Sequence, residues 1–286
     1  MRTDRRAFLV AAIASAGSAR ASAERIGPAD RVVKNGRLKQ SVSRWCYNAI
    51  PMPDFCRAVA DMGLTSIDLL EEPDWAVARE HGLVCSMGYA GGGSIRDGLN
   101  VPANHDAIVK NFERLIPHAA SMKVPNVITF FGNRRGMPDD VAIANSVAGL
   151  NRVKKIAEDN EVTICVELLN SKVNHPDYQG DRTPFGVAVV KAVDSPRVKL
   201  LYDIYHMQIM EGDLIKTIRD DHAYIGHYHT GGVPGRHELD DTQEVNWRAV
   251  CRAIVETGFT GYLAHEFVPT RDPLTSLREA VALCDV

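Results

Sequence analysis

Acidic and histidine side chains recur at one kind of place in this 286-residue chain, the downstream end of a short apolar run. Glu167 follows Ile164-Cys-Val, Asp203 follows Leu200-Leu-Tyr, and Glu266 follows Tyr262-Leu-Ala-His. His227 and His229 close the run that starts at Ile225, Glu71 closes Ile67-Asp-Leu-Leu, and His206 stands three residues beyond Asp203. A carboxylate in apolar surroundings is costly unless a hydrogen bond or an opposite charge compensates it. Taken alone, Asp203 reads as a hydrogen-bonded loop cap sooner than as a ligand. Three carboxylates and a histidine brought to one place are different, because they repel one another unless a cation sits among them. Three oxygen donors with one imidazole suit Mn²⁺, Mg²⁺ or Co²⁺ better than structural zinc, which prefers sulfur and nitrogen.

What would bring them together is the element pattern. From Ser41 onward, apolar strand-like runs alternate with segments of helical spacing. The expected strands are Ser41–Tyr47, Ser66–Glu71, Leu83–Met87, Val127–Phe131, Thr163–Leu168, Val198–Tyr202, Ile225–His229 and Gly261–Phe267. Between them, Ile108, Val109, Phe112, Leu115, Ile116 and Ala119 mark one helix, and the stripe from Val141 to Ile156 marks a single long one. Pro53–Met62 ends at Gly63, a helix-stop signal. Strict alternation implies parallel pairing, and eight such units close most naturally into a single (β/α)₈ TIM barrel, whose strand C-termini share one mouth. A doubly wound open sheet is the runner-up, but no glycine-rich phosphate turn follows an early strand. Gly91-Gly92-Gly93 lacks a following Gly-Lys-Ser/Thr and is expected to form a loop over the mouth.

Three segments divide the chain: 1–23, 24–40 and the barrel domain 41–286. In the first, Arg5-Arg6 precedes the mildly apolar run Phe8–Ala16, and Ala21-Ser-Ala23 supplies a small-x-small cleavage site. The pair of arginines with Phe8-Leu9 behind it resembles a twin-arginine export signal, so a periplasmic location is expected. An Arg5→Lys, Arg6→Lys variant should then stay in the cell-interior fraction, and export unchanged by it would remove this reading. The segment 24–40 reads as a polar lead-in. Without residues 1–23, which hold four basic groups and one acid, the formal charge moves from −3 to −6. Such a balance disfavours nucleic acid and anionic membrane as partners, and no run of 18 apolar residues suggests a span. A homo-oligomer is compatible with this reading. The six cysteines show no C-x-x-C pair, and one disulfide in an oxidising compartment would have no pair identifiable from sequence.

The segment Tyr202-Asp-Ile-Tyr-His-Met-Gln208 with Glu211-Gly-Asp-Leu214 resembles the hydroxypyruvate isomerase family within the xylose-isomerase-like barrels. Glu167-Leu-Leu-Asn170, Ile225-Gly-His227, Glu266-Phe-Val-Pro269 and Ile67-Asp-Leu-Leu-Glu71 resemble further family segments, so the likeness runs over roughly residues 40–282. The resemblance implies a divalent metal held by Glu167, Asp203, His229 and Glu266. It gives Glu167 and Glu266 a second role, as acid/base carboxylates on opposite faces of an enediolate. His206 would bond the substrate, and Arg236 would hold a substrate oxygen or carboxylate. Glu71, and His175 in the distinctive stretch 170–179, are expected to face the ligand. One departure is His229, because hydroxypyruvate isomerases usually carry glutamine there and the ketose 3-epimerases of the superfamily carry histidine.

The expected activity is therefore metal-dependent proton transfer between neighbouring carbons of a small hydroxycarbonyl compound or sugar. A keto-sugar 3-epimerase, or a lyase or hydratase, would use the same site. An exported sugar-binding barrel without catalysis is the reading from another class, but binding alone would not require two bases.

Overall fold

The computed structural model describes residues 31–286; the expected export signal lies outside these residues. Eight strands run in chain order as β1 (Lys39–Val42), β2 (Ser66–Leu70), β3 (Val84–Gly92), β4 (Asn126–Phe130), β5 (Thr163–Leu168), β6 (Val198–Asp203), β7 (Ile225–Thr230) and β8 (Tyr262–His265). Ten α-helices separate or follow them: α1 (Met52–Met62), α2 (Asp74–Glu80), α3 (His105–Ser121), α4 (Asp139–Asn151), α5 (Lys154–Asp159), α6 (Thr183–Val193), α7 (Ile204–Met210), α8 (Leu214–Asp221), α9 (Trp247–Glu256) and α10 (Pro273–Cys284).

Every strand pair is parallel, in the order β1-β8-β7-β6-β5-β4-β3-β2. The remaining seam, between β1 and β2, is joined by a parallel bridge from Ser43 to Asp68. The expected (β/α)₈ barrel is therefore observed, its ring nearly closed. The helices bury one apolar stripe each. In α9, Trp247, Val250, Cys251 and Ile254 recur at helical spacing and are buried, while Asn246 caps the first turn by accepting from the Ala249 amide at 3.3 Å.

Strand alternation sorts the side chains. Outward residues such as Val127, Ile164, Val166, Leu200 and Tyr202 join the large core under the helices. A second cluster takes one residue from each of β2 to β6: Leu69, Met87, Ile128, Cys165 and Leu201. These are the inward positions, and they pack inside the barrel. Two steps further along β5 and β6, and on β7, the same inward parity delivers Glu167, Asp203 and His229.

Two local readings differ from expectation. The glycine run is not a loop, because β3 continues through Gly92, which pairs with Thr129 of β4. A Cβ on Gly92 would come within 2.9 Å of the Ile128 carbonyl oxygen, so glycine is what lets the two strands meet there. The single long helix is two, because i→i−3 bonds from Arg152 to Gly149 (3.2 Å) and from Val153 to Leu150 (3.1 Å) tighten the chain between α4 and α5. The short helix α7 follows β6 with no intervening loop. All six cysteines are free thiols.

Candidate active site

Register brings the site together. Asp203 of β6 pairs directly with His229 of β7, and Phe130 of β4 with Glu167 of β5. Glu266 is the first residue after β8, held by its amide to the Thr230 carbonyl at 3.0 Å. Glu167, Asp203, His229 and Glu266 are all buried, and each offers a donor atom within 4.8 Å of the others.

Asp203 is a cap, and its second oxygen faces the cluster. Its Oδ1 accepts the His206 amide at 3.2 Å and so caps α7, while Oδ2 faces the site. The cation present is Arg236, whose Nη2 donates to Asp203 Oδ2 at 2.7 Å and to Glu266 Oε2. Its Nη1 meets His206 Nε2 at 2.6 Å, its Nε donates to the Glu266 carbonyl at 3.0 Å, and its guanidinium lies 5.0 Å from the Tyr205 ring centre. Trp45, just beyond β1, donates its indole N–H to Glu266 Oε1 at 2.5 Å.

The two glutamates sit in different electrostatic surroundings. Burial pushes the Glu167 carboxyl well above the ordinary carboxylate range, and the neighbouring Glu266 adds to this. Burial also pushes Glu266 up, but Arg236 and His229 together overcome it and bring Glu266 to about 2. For His229, burial works downward and is overcome by Glu266 and Asp68, so the ring stands well above the usual histidine range. His206 is held well below it, by burial first and then by Arg236. Titratable groups driven apart in this way are what acid/base exchange requires.

These residues also fit a divalent cation. Three carboxylate oxygens and one imidazole nitrogen converge, with Glu266 Oε2 (2.5 Å), Glu167 Oε1 (3.7 Å) and Asp203 Oδ2 (3.8 Å) around the buried His229 Nδ1.

Above the carboxylates a cavity of about 460 Å³ opens, walled by Trp45, Tyr89, Phe130, His175, His206 and Arg236, with Glu167 and Glu266 contributing to it. His175 therefore reaches the cavity as expected, its ring 5.3 Å from that of His206. Lys172 turns away, donating to the carbonyls of Ile209 (2.9 Å) and Met210 (3.2 Å). Glu71 does not join the site. It lies one residue beyond β2, is exposed, and lines a neighbouring depression that shares Tyr89, Ile128 and Phe130 with the cavity. The expectation that it faces the ligand is not met in the cavity itself, whose lining does not include it.

Four residues at the site escaped the sequence reading: Asp68, Trp45, Tyr89 and Asn170. Asp68 carried the same signal as the others, a carboxylate inside an apolar strand, but sat in mid-strand rather than at an end. Asn170 is buried and places both its amide N (3.1 Å) and its Nδ2 (2.6 Å) against His206 Nδ1. Trp45 and Tyr89 are brought to the mouth only by closure of the barrel.

The sequence pattern of the family described as xylose isomerase-like TIM barrel matches residues 56–285. A provisionally named hydroxypyruvate isomerase of Homo sapiens is 25% identical over 182 residues, which cover 62% of this chain and 66% of that protein. The 2-oxo-tetronate isomerase of Pectobacterium atrosepticum is 26% identical over 78% of this chain and 88% of its own length. Among solved structures, one from Brucella melitensis described as a family 2 AP endonuclease superposes with a TM-score of 0.76 at 21% identity, covering 84% of this chain and 97% of that one. A 3-keto-D-glucoside 4-epimerase from E. coli gives 0.71 at 18% identity, covering 86% and 98%. At such identities the superpositions speak for the fold alone.

Proposed function

The chain belongs to the xylose isomerase-like TIM barrel family, and on that premise we propose that it is an isomerase or epimerase of a small hydroxycarbonyl compound or sugar. The observation that carries this reading is the pair of buried glutamates, Glu167 and Glu266, facing one cavity and converging with Asp203 and His229. A divalent ion bound to Glu167, Asp203, His229 and Glu266 would polarise a hydroxycarbonyl group and so acidify the neighbouring C–H.

The chain's own residues do the rest. One glutamate takes the proton from carbon as the C–H electron pair moves into the double bond of an enediolate, and the other returns a proton. Return to the adjacent carbon, with the hydroxyl proton passing to the former carbonyl oxygen, moves the carbonyl, and return to the opposite face of the same carbon inverts it. His206 and Arg236 hold substrate oxygens in the cavity, and the aromatic walls of Trp45, Tyr89 and Phe130 exclude water from the exchange.

Isomerisation is the first reading, supported by the named relatives. Epimerisation of a keto-sugar is the second, favoured by the histidine at position 229. Export through the twin-arginine route belongs to the same proposal. The test is incubation of metal-loaded protein with hydroxypyruvate, 2-oxo-tetronate and ketoses in D₂O, followed by NMR. Deuterium at a carbon beside the carbonyl is expected, with a moved carbonyl marking isomerisation and an inverted centre marking epimerisation. No exchange with any of them would sink the enzymatic reading in favour of a binding barrel.

A further inference from the structure

Directly beneath the four converging residues lies a carboxylate that the reaction does not call on. Asp68 is fully buried in β2, and the strand is irregular around it: its register with β3 shifts on both sides of Asp68, and Leu69 adopts φ +52°. Such a bulge re-aims side chains. Here it turns two consecutive residues inward, Leu69 to the wall of the cavity and Asp68 toward β7.

Every oxygen of Asp68 is engaged. Oδ1 accepts the Ser86 hydroxyl at 2.6 Å and lies 3.2 Å from His227 Nε2, and Oδ2 meets His229 Nε2 at 2.8 Å. A ring nitrogen against a carboxylate carries the hydrogen, so Nε2 is the donating end of His229. Nδ1 also meets a carboxylate, Glu266 Oε2 at 2.5 Å, with Glu167 Oε1 (3.7 Å) and Asp203 Oδ2 (3.8 Å) beyond it, so without a cation it shares a hydrogen there. A cation among these oxygens would take the place of that hydrogen, and Nδ1 would then offer its lone pair while Nε2–H stays on Asp68.

We propose that Asp68 is a positioning residue, which fixes the ring orientation and Nε2–H tautomer of His229 so that Nδ1 is presented to a divalent cation. The inference rests on the metal reading of the site given above. A carboxylate behind a ligating imidazole both orients it and makes it a better donor, and removing such a partner typically weakens metal affinity by about 10–100-fold. The bulge at 68–70 is thus a built feature of the site, since a regular strand could not turn Asp68 and Leu69 to the same side.

The test titrates the metal-free full chain with Co²⁺, followed by its visible absorption, in wild type, Asp68→Asn and Asp68→Ala. Thermal unfolding of each metal-free protein controls for a purely structural effect. Asp68→Asn, close in shape, is expected to fold as wild type and to bind Co²⁺ about 10-fold more weakly. Asp68→Ala should approach about 100-fold, with altered band intensities. In the Zn²⁺-loaded wild type, ¹⁵N NMR should find His229 bound through Nδ1 and protonated at Nε2. Co²⁺ affinities within twofold of wild type in a folded Asp68→Asn, or coordination through Nε2, would overturn the inference while leaving the metal reading intact. A wild type that takes up no Co²⁺ would defeat the metal reading itself, and this inference with it.

Discussion

Replacing either Glu167 or Glu266 by glutamine should lower turnover by roughly 10²–10⁴-fold in metal-loaded protein, the range expected when a positioned acid or base is lost from a proton transfer. Glutamine keeps the shape and can still offer an oxygen, so the fold should survive and circular dichroism should be unchanged. The two variants should nonetheless differ in their partners. Glu266 Oε1 accepts from Trp45 and Oε2 from Arg236, so Glu266→Gln also takes one of its two carboxylate partners from Arg236. Glu167 makes no such pair with Arg236, and its change should leave the surrounding hydrogen bonds in place. A cleaner reading of the chemistry comes from exchange in D₂O. If one glutamate removes the proton and the other returns it, the variant lacking the base should lose wash-in. The variant lacking only the acid should still exchange substrate protons while failing to form product. Near-wild-type rates in both variants would end the two-carboxylate scheme.

The second large effect concerns Arg236. Its guanidinium is the positive group between Asp203 and Glu266, and all three side chains are largely removed from water. Removing one partner of a buried ion pair leaves an uncompensated charge and typically costs about 3–5 kcal/mol. Arg236→Met, which keeps the length of the side chain, should therefore lower the stability of metal-free protein by that amount in urea unfolding at neutral pH. The penalty should depend on pH in a defined direction. Arg236 helps bring the Glu266 carboxyl to about 2 against the push of burial, so the native state binds fewer protons than the unfolded chain between there and the ordinary carboxylate range. The stability contributed is present above that window and is lost as pH falls through it. The difference between wild type and Arg236→Met should accordingly be largest near neutrality and shrink below about pH 4.5. A divalent cation at a hundred times its dissociation constant adds about 2.7 kcal/mol to any protein that binds it only when folded. Mn²⁺ should thus restore much of the loss. A variant as stable as wild type without metal would show that the carboxylates do not depend on Arg236.

Much of this was legible before any coordinates. Glu167, Asp203 and His229 stand at the ends of apolar strands whose period of two sends them inward, and Glu266 follows the last strand directly. Parallel register then places them side by side; the pattern local to each strand marks them within a wider set that also holds Glu71, His206 and His227, and the family resemblance is what singles out the four. The alternation of eight strands with helical segments likewise determined the barrel. The failures have equally local causes. Glu71 looked like another strand-end carboxylate, but β2 stops at Leu70 and the glutamate turns to solvent beyond it. Gly91 and Gly92 looked like a loop, because the close approach of β4 that calls for glycine there is invisible from within β3.

By itself, then, the sequence determined the architecture and a set of strand-end carboxylates and histidines that includes the four converging residues, since both follow from hydrophobic period and from the cost of burying charge. Only the tertiary structure decided what those donors lean on. Asp68 reaches His229 across 161 residues of chain, Trp45 reaches Glu266 across 221, and Arg236 reaches His206, Asp203 and Glu266 from the loop after β7. Contacts of that span depend on a strand bulge and on closure of the ring, neither of which leaves a period in the sequence to be read.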